Sequence, residues 1–499
     1  MRGQLFAMAV AFALSACGSQ SSGLGTDMPS IDAAALRAAA SDDLTRRFYA
    51  ARGWRPAWSE DRTAALTQAI GEASGHGLDP GQWLDPIRSA PNPAAREAAM
   101  TRAALDYATA LARGRLDPTE LRDPYSVPRP DFDAPAALSA ALDGGDIGGW
   151  LAGLAPQDAE YRAMSEAYLA TRQSTARAAI PAGEDIRPGA ADPRIGAIAA
   201  ALAADGYVQH PQGQPPPDRY DPALVAAVRR LQTDYGLEPD GIIDADALDA
   251  INEGAAGRAR ALAVNLERRR WLARQAPATR IDVNTAAATL TFWQDDEAAD
   301  RRRVVVGQPG NETPDLGSPI YRLVANPTWT VPRSIQNEEI AQRGAGYMAR
   351  NNMEWRDGWI VQRSGPTNAL GLVKFDMQNP HAIYLHDTPA KALFDRDDRH
   401  ASHGCVRVQD ALGFAALIAE RQGVREEWER ARATGEETFV RLARPIPVRM
   451  IYHSAFLDGG RVQYRLDVYG WDEAVARRLG FPARQARTAA RRHRSDTGP

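Results

Sequence analysis

The chain is expected to be a multidomain α+β protein: an N-terminal α-helical domain, a small three-helix domain, and a mostly β C-terminal domain interrupted by a short helical insert. Three observations carry that expectation. At 499 residues the chain is longer than one hydrophobic core usually serves. Its N-terminal third is rich in alanine with apolar residues at helical spacing. From Arg280 onward the pattern changes to period two with β-branched residues.

Residues 1–17 read as a targeting segment. Arg2 is a minimal positive start, and Leu5 to Leu14 is apolar but too short to span a bilayer. It closes on Leu14-Ser15-Ala16-Cys17, which resembles a bacterial lipobox; an ordinary cleaved secretory signal with an incidental Cys17 is the alternative. Lipidation at Cys17 supplies more than one acyl chain, enough for stable anchoring to a membrane. Gly18 follows, with no aspartate of the kind that resembles an inner-membrane retention signal. The implied address is the periplasm, anchored in the outer membrane of a Gram-negative bacterium. The Gly/Ser-rich residues 18–30 are a flexible tether.

The helical domain is placed at 31–185. Leu44, Phe48 and Tyr49 precede the aromatic pair Trp54 and Trp58; Met100, Ala104, Tyr107, Ala108 and Leu111 form a 3.6-period stripe that stops at Gly114. Nothing in it has a catalytic arrangement, and a scaffold role is the default. The small domain is placed at 190–255. One helix carries Ile195, Ile198 and Leu202, and a Pro/Gln/Gly loop follows from Pro211. A second helix carries Leu224, Val228, Leu231 and Gln232; Gly236-Leu237 and Asp240-Gly241-Ile242 lead into a short third helix ending before Asn252.

The β domain is placed at 262–475. Strands are expected at 281–283, 289–293, 303–307, 440–442, 448–452 and 463–469. A helical insert at 334–360, with Glu338, Glu339, Ile340, Tyr347 and Met348, lies next to the chemistry and is a candidate lid. The remaining 476–499 is a basic tail (Arg484, Arg487, Arg491, Arg492, His493, Arg494), read as solvated. The overall net charge of −4 argues against nucleic acid as a partner.

Only two cysteines occur. With Cys17 lipidated, Cys405 is a single thiol set in Ser402-His403-Gly404-Cys405-Val406-Arg407, and fifteen residues separate His386 from Ser402. A cysteine attacks as the thiolate, so it needs a base such as an imidazole to take its proton. Gly404 lets the backbone approach closely, so its N–H and that of Cys405 are candidates for an oxyanion hole. A zinc site needs three or four ligands. One cysteine and the unmatched His381, His400 and His453 do not provide them, so neither metal nor cofactor is expected.

These residues resemble the catalytic domain of the L,D-transpeptidases, in particular the large YcbB-type enzymes. The resemblance rests on Asn326-Pro327-Thr328-Trp329-Thr330-Val331-Pro332-Arg333-Ser334-Ile335, Gly365-Pro366-Thr367-Asn368-Ala369-Leu370-Gly371, Val373-Lys374-Phe375, Tyr384-Leu385-His386-Asp387-Thr388-Pro389, Phe394-Asp395-Arg396 and the Ser402–Arg407 motif. Asn265 to Leu272 resembles the family's linking helix, and the 190–255 unit resembles a small peptidoglycan-binding module. That module departs from its family at Asp244, where glycine is common; aspartate is expected to tolerate a left-handed backbone there.

The resemblance implies Cys405 as nucleophile and His386 as general base, with the Asp387 carbonyl orienting the imidazole. His403 and Gly404 would shape the oxyanion region, and Ser402 would support the loop. Arg407 would order the site or meet a substrate carboxylate, and Trp329 and Tyr384 would line the donor groove. The implied reaction transfers a peptidoglycan tetrapeptide stem onto Cys405 with loss of D-Ala, then onto a second stem as a 3→3 cross-link. Water, a free D-amino acid or a protein lysine are alternative acceptors that the motif does not separate. A non-catalytic wall tether is the further alternative, disfavoured by the intact Cys405, His386 and His403.

Overall fold

The computed structural model describes residues 31–209 and 217–484. Cys17, the tether, nearly all of the Pro/Gln/Gly loop and the arginines beyond Arg484 lie outside the described residues.

The N-terminal part is helical, with eight α-helices between Ala33 and Thr171. The sequence places the starts: Asp32, Asp42, Ser59, Asn92, Asp133, Asp146 and Asp158 each accept a hydrogen bond from a backbone N–H of the first turn. Caps of this type contribute about 1 kcal/mol each. The central helix α1 (Pro93–Arg113) buries Ala104, Tyr107, Ala108 and Leu111. Trp58 belongs to this core and donates from Nε1 to Thr101 Oγ1 at 2.8 Å.

The three-helix unit follows: α2 (Ile195–Ala204), α3 (Pro222–Tyr235) and the start of α4 (Ala245–Trp271). Its Leu-Gln…Asp-Gly-Ile pattern has a direct cause. The Gln232 amide accepts from Gly241 N at 2.9 Å and donates to Asp240 Oδ1 at 2.9 Å and Ile242 O at 3.0 Å, pinning the turn before α4. Asp244 corrects the expectation of a left-handed backbone. It is extended (φ −85°, ψ −171°), and its carboxylate caps α4 by accepting from Ala247 N. The expected short third helix and the linking helix are one element, kinked at Gly254 (φ 57°, ψ −170°).

Helix α4 ties the helical domain to the β domain through a buried polar node. Glu267 accepts from Trp271 Nε1 at 3.0 Å, Leu116 N at 2.8 Å and Arg270 Nη2 at 2.6 Å. Arg270 also donates to His76 O at 2.7 Å and the Tyr161 hydroxyl at 2.8 Å. Gly114 (φ +86°) is required where it stands, since a Cβ there would lie 2.5 Å from the Trp271 ring.

The β domain is built on eleven strands, ten of them in one continuous order: β13 (Thr438–Ile446), β5 (Ile320–Ala325), β9 (Val373–Met377), β10 (Leu385–His386), β12 (Val406–Val408), β3 (Glu297–Gly307), β2 (Thr289–Gln294), β1 (Arg280–Asn284), β14 (Val448–Ile451) and β4 (Leu316–Gly317). The eleventh, β11 (His400–Ser402), pairs with β3. Leu290, Phe292, Val304, Leu323, Phe375, Leu385, Val406 and Val408 bury one face beneath α5 (Ala411–Arg421) and α6 (Arg425–Ala433), whose Phe414, Ile418 and Trp428 complete the core.

Three expectations need correction. The insert is helical only through Arg350; β7 (Met353–Arg356) and β8 (Trp359–Gln362) then form a hairpin paired with β6 (Trp329–Thr330). The hairpin turns at Asp357-Gly358, both left-handed (φ 50° and 78°), which is the geometry a two-residue loop of that sequence adopts. The strand expected at 463–469 stops at Tyr464, within a separate two-stranded ribbon of β15 (Ala455–Asp458) and β16 (Arg461–Tyr464). Beyond it the Asp467 carboxylate accepts from Trp471 N and Asp472 N, both at 2.9 Å, turning the chain into α7 (Trp471–Arg478). Finally, the chain after 475 begins as packed structure. Val475 and Ala476 are buried against Trp271, and Arg484, though exposed, is ion-paired with Glu253.

Candidate active site

The site sits where β10 and β12 lie side by side and parallel, Leu385 opposite Val406 and His386 opposite Arg407. Leu385 and Val406 point into the core under α5. Side chains alternate along strands, so Tyr384, His386, Cys405 and Arg407 project to the other face. The alternation that makes the core thus brings the candidate nucleophile and base together. Val406 N donates to Tyr384 O at 3.1 Å, which fixes Cys405 beside Tyr384. The Tyr384 and His386 ring centroids are 5.7 Å apart.

His386 is fully buried, and its Nδ1 lies 2.5 Å from the backbone oxygen of Asp387. A carbonyl only accepts, so Nδ1 carries the proton and Nε2 is the basic nitrogen. The Asp387 carboxylate is engaged elsewhere, by Lys391 and by Leu372 N at 3.0 Å.

Ser402 Oγ donates to Cys405 O at 2.6 Å and accepts from Gly404 N at 3.2 Å, tying the loop into a tight turn. Gly404 has φ +110°, a conformation that favours glycine, and its carbonyl accepts from Thr313 Oγ1 at 2.8 Å. In this state the Gly404 N–H points at Ser402 rather than at an open oxyanion position.

Burial bears on three of the candidate residues. Arg407 is 1% exposed, which agrees with its ordering the site and not with its meeting a substrate carboxylate. Trp329, also 1% exposed, belongs to the insert's own core with Val331, Ile335, Ile340, Met353, Ile360 and Leu370, and does not line a groove. Tyr384 packs against that same core, linking the insert to the site face. The His403 ring faces the insert, its Nε2 2.7 Å from Glu339 Oε1. Of the unmatched histidines, His400 is buried between Asp398 and Thr285 O, His453 is buried, and His381 is exposed.

Two residues without an assigned role belong to the arrangement. Lys374 is the cross-strand partner of His386, and its ammonium lies 4.3 Å over the Tyr384 ring. Its place between the core residues Val373 and Phe375 puts it on the site face, but only the β9–β10 pairing brings it to His386. Glu339 reaches His403 from the insert, a contact no local pattern discloses.

Cys405 is 5% exposed, and its sulfur donates weakly to Ala382 O at 3.6 Å. Burial pushes the thiol up from 9.0 to about 11, prevailing over Tyr384 and the Lys374 and Arg407 charges, which favour the thiolate. At neutral pH the resting sulfur is therefore protonated, and it must lose its proton during attack. Alkylation of Cys405 by iodoacetamide is expected to be slow at pH 7 and to climb about tenfold per pH unit through pH 10. A rate that plateaus near pH 7 in a pH series would contradict this.

Residues 278–426 match the family described as the L,D-transpeptidase catalytic domain, 43–167 the family described as the scaffold domain, and 192–251 the "Putative peptidoglycan binding domain". A Haemophilus influenzae protein named "Putative L,D-transpeptidase" is 28% identical over 223 residues, covering 39% of this chain and 45% of that protein. The chain thus spans less than half the length of that curated relative. Two solved structures are also similar. An L,D-transpeptidase from Stackebrandtia nassauensis shares 13% identity over 56% of this chain and 98% of its own, with a TM-score of 0.23. A mutant L,D-transpeptidase from Enterococcus faecium shares 12% over 35% and 50%, with a TM-score of 0.21. Scores this low decide nothing about the fold. The family match falls on the strands and the loop that carry His386 and Cys405: residues 278–426 are an L,D-transpeptidase catalytic domain, borne on one chain with a scaffold domain and a peptidoglycan-binding domain.

Proposed function

We propose that the protein forms 3→3 peptidoglycan cross-links by acyl transfer through Cys405. The observation that carries this reading is the shared face of Cys405 and His386 on adjacent parallel strands, with the imidazole oriented by the Asp387 carbonyl. His386 Nε2 takes the thiol proton as the sulfur attacks the carbonyl of the third stem residue. The C–N bond to D-Ala breaks, the imidazolium protonates the leaving amine, and a thioester remains. The amine of a second stem attacks the thioester; its N–H proton passes to His386, and the departing thiolate is reprotonated. The expected Cys17 anchor and periplasmic address belong to the same reading, because anchor and wall-binding module both raise local substrate concentration.

Disaccharide-tetrapeptide incubated with residues 24–499 is expected to yield a 3→3 dimer by mass spectrometry. Tripeptide alone would move the assignment to carboxypeptidase, and exchange products to a D-amino acid acceptor. No turnover, with no adduct on Cys405, would leave the wall-tether alternative.

A further inference from the structure

We infer that Glu339 is the residue that receives the ammonium group of the incoming acceptor; the inference rests on the acyl-transfer reading above. The acceptor of a cross-link is a primary amine, charged at neutral pH and able to attack only after losing a proton. The side-chain environment around the motif is unequal in sign. On the sheet face stand Lys374 and the buried Arg407, flanking His386 on its two neighbouring strands. Lys374 is already paired with Asp376 at 2.8 Å and Arg407 is buried, so the sheet face offers an incoming ammonium no counter-charge.

The carboxylates on the surrounding elements are occupied by cations or backbone. Asp376 is held by Lys374 at 2.8 Å and by Arg322, and Asp387 by Lys391. Asp398 is held by His400 at 2.8 Å, and Glu312 caps the Gly310 N–H at 2.8 Å. Glu339 is likewise held by a histidine on one oxygen, His403 Nε2 at 2.7 Å, but it differs in place: it comes from the insert rather than the sheet, and the histidine it meets belongs to the catalytic loop. The His403 contact engages Oε1 and orients the carboxylate, and Oε2 is the oxygen assigned to the ammonium. His403 is two positions from Cys405, so its contact with Glu339 puts the insert carboxylate beside the catalytic loop.

Glu339 also lies in a π-helical turn (Gln336–Ile340), a local widening that recurs at functional sites. The insert packs on its own core, against which Tyr384 of the site face also packs, so the carboxylate is held next to the site. In the step itself an N–H bond of the ammonium breaks and the proton passes to the Glu339 carboxylate. The free amine attacks the thioester carbon, the C–S bond breaks, and the N–H proton lost from the tetrahedral intermediate goes through His386 to the thiolate. Glu339 then gives its proton to water.

The test separates acylation from its resolution. In Glu339→Gln, formation of the tripeptidyl thioester from a tetrapeptide donor, followed by intact-protein mass spectrometry, is expected to stay within about twofold of the unsubstituted protein. The ratio of transfer onto a tetrapeptide acceptor to hydrolysis is expected to fall about tenfold or more, the effect of losing one charge-assisted hydrogen bond. Hydroxylamine, uncharged at neutral pH, should resolve both thioesters equally, and Glu339→Asp should recover part of the transfer. Glu338→Gln, one position away and exposed, should change nothing. Equal loss of acylation and transfer would make Glu339 structural, and an unchanged partition ratio would overturn the inference with the acyl-enzyme intact. Absence of any thioester in the unsubstituted protein would overturn the functional reading and this inference with it.

Discussion

Cys405→Ala is expected to abolish transfer and hydrolysis together, by at least about 10⁴-fold, because both pass through the thioester on its sulfur. The substitution removes one buried sulfur whose contacts are weak, to Ala382 O at 3.6 Å and to Tyr384, so the fold should persist. His386→Ala should approach the same loss. The thiol held near 11 by burial has no thiolate reserve at neutral pH and depends on proton transfer during attack. Muropeptide turnover by both variants, with circular dichroism to verify folding, checks the expectation. Residual transfer above a thousandth of the original rate in Cys405→Ala would place the chemistry elsewhere.

Glu267→Ala is expected to destabilise the chain by about 3–5 kcal/mol, the cost of stranding a buried charge. Glu267 and Arg270 are both fully buried, and the carboxylate also holds the Trp271 indole and the Leu116 N–H. Its loss leaves the Arg270 guanidinium with only neutral partners, the His76 carbonyl and the Tyr161 hydroxyl. Removing both charges, as in Glu267→Leu with Arg270→Met, should cost less than Glu267→Ala alone, since an apolar pair needs no compensation. Urea unfolding midpoints measure both. The substitution lies on the seam between helical and β domains, so the loss should appear first as separation of those two parts.

The site was legible because its parts are local: Ser402 to Arg407 contains its own turn, and His386 carries its orienting carbonyl in the next residue. The strands around it were legible from alternation, and the helix starts from their capping side chains. What the sequence hid depends on long-range partners. Lys374 reaches His386 only through the β9–β10 register, and Glu339 meets His403 across sixty-odd positions. The burial of Trp329, and which of its two roles Arg407 takes, are not legible because sequence does not reveal which polar or aromatic residues the insert and sheet will bury. The Asp357-Gly358 hairpin was present as a local turn signal inside a segment read as helical. The run to Tyr469 looked like a strand until the Asp467 carboxylate, by taking two backbone N–H groups, turned the chain.

The most direct measurement is peptide-resolved mass spectrometry of the protein mixed with a tetrapeptide donor and quenched in acid before an acceptor is added. The account predicts a tripeptidyl adduct on the peptide containing Cys405, labile to hydroxylamine and absent in Cys405→Ala. Cross-linked product formed with no such adduct, or an adduct on another residue, would contradict it.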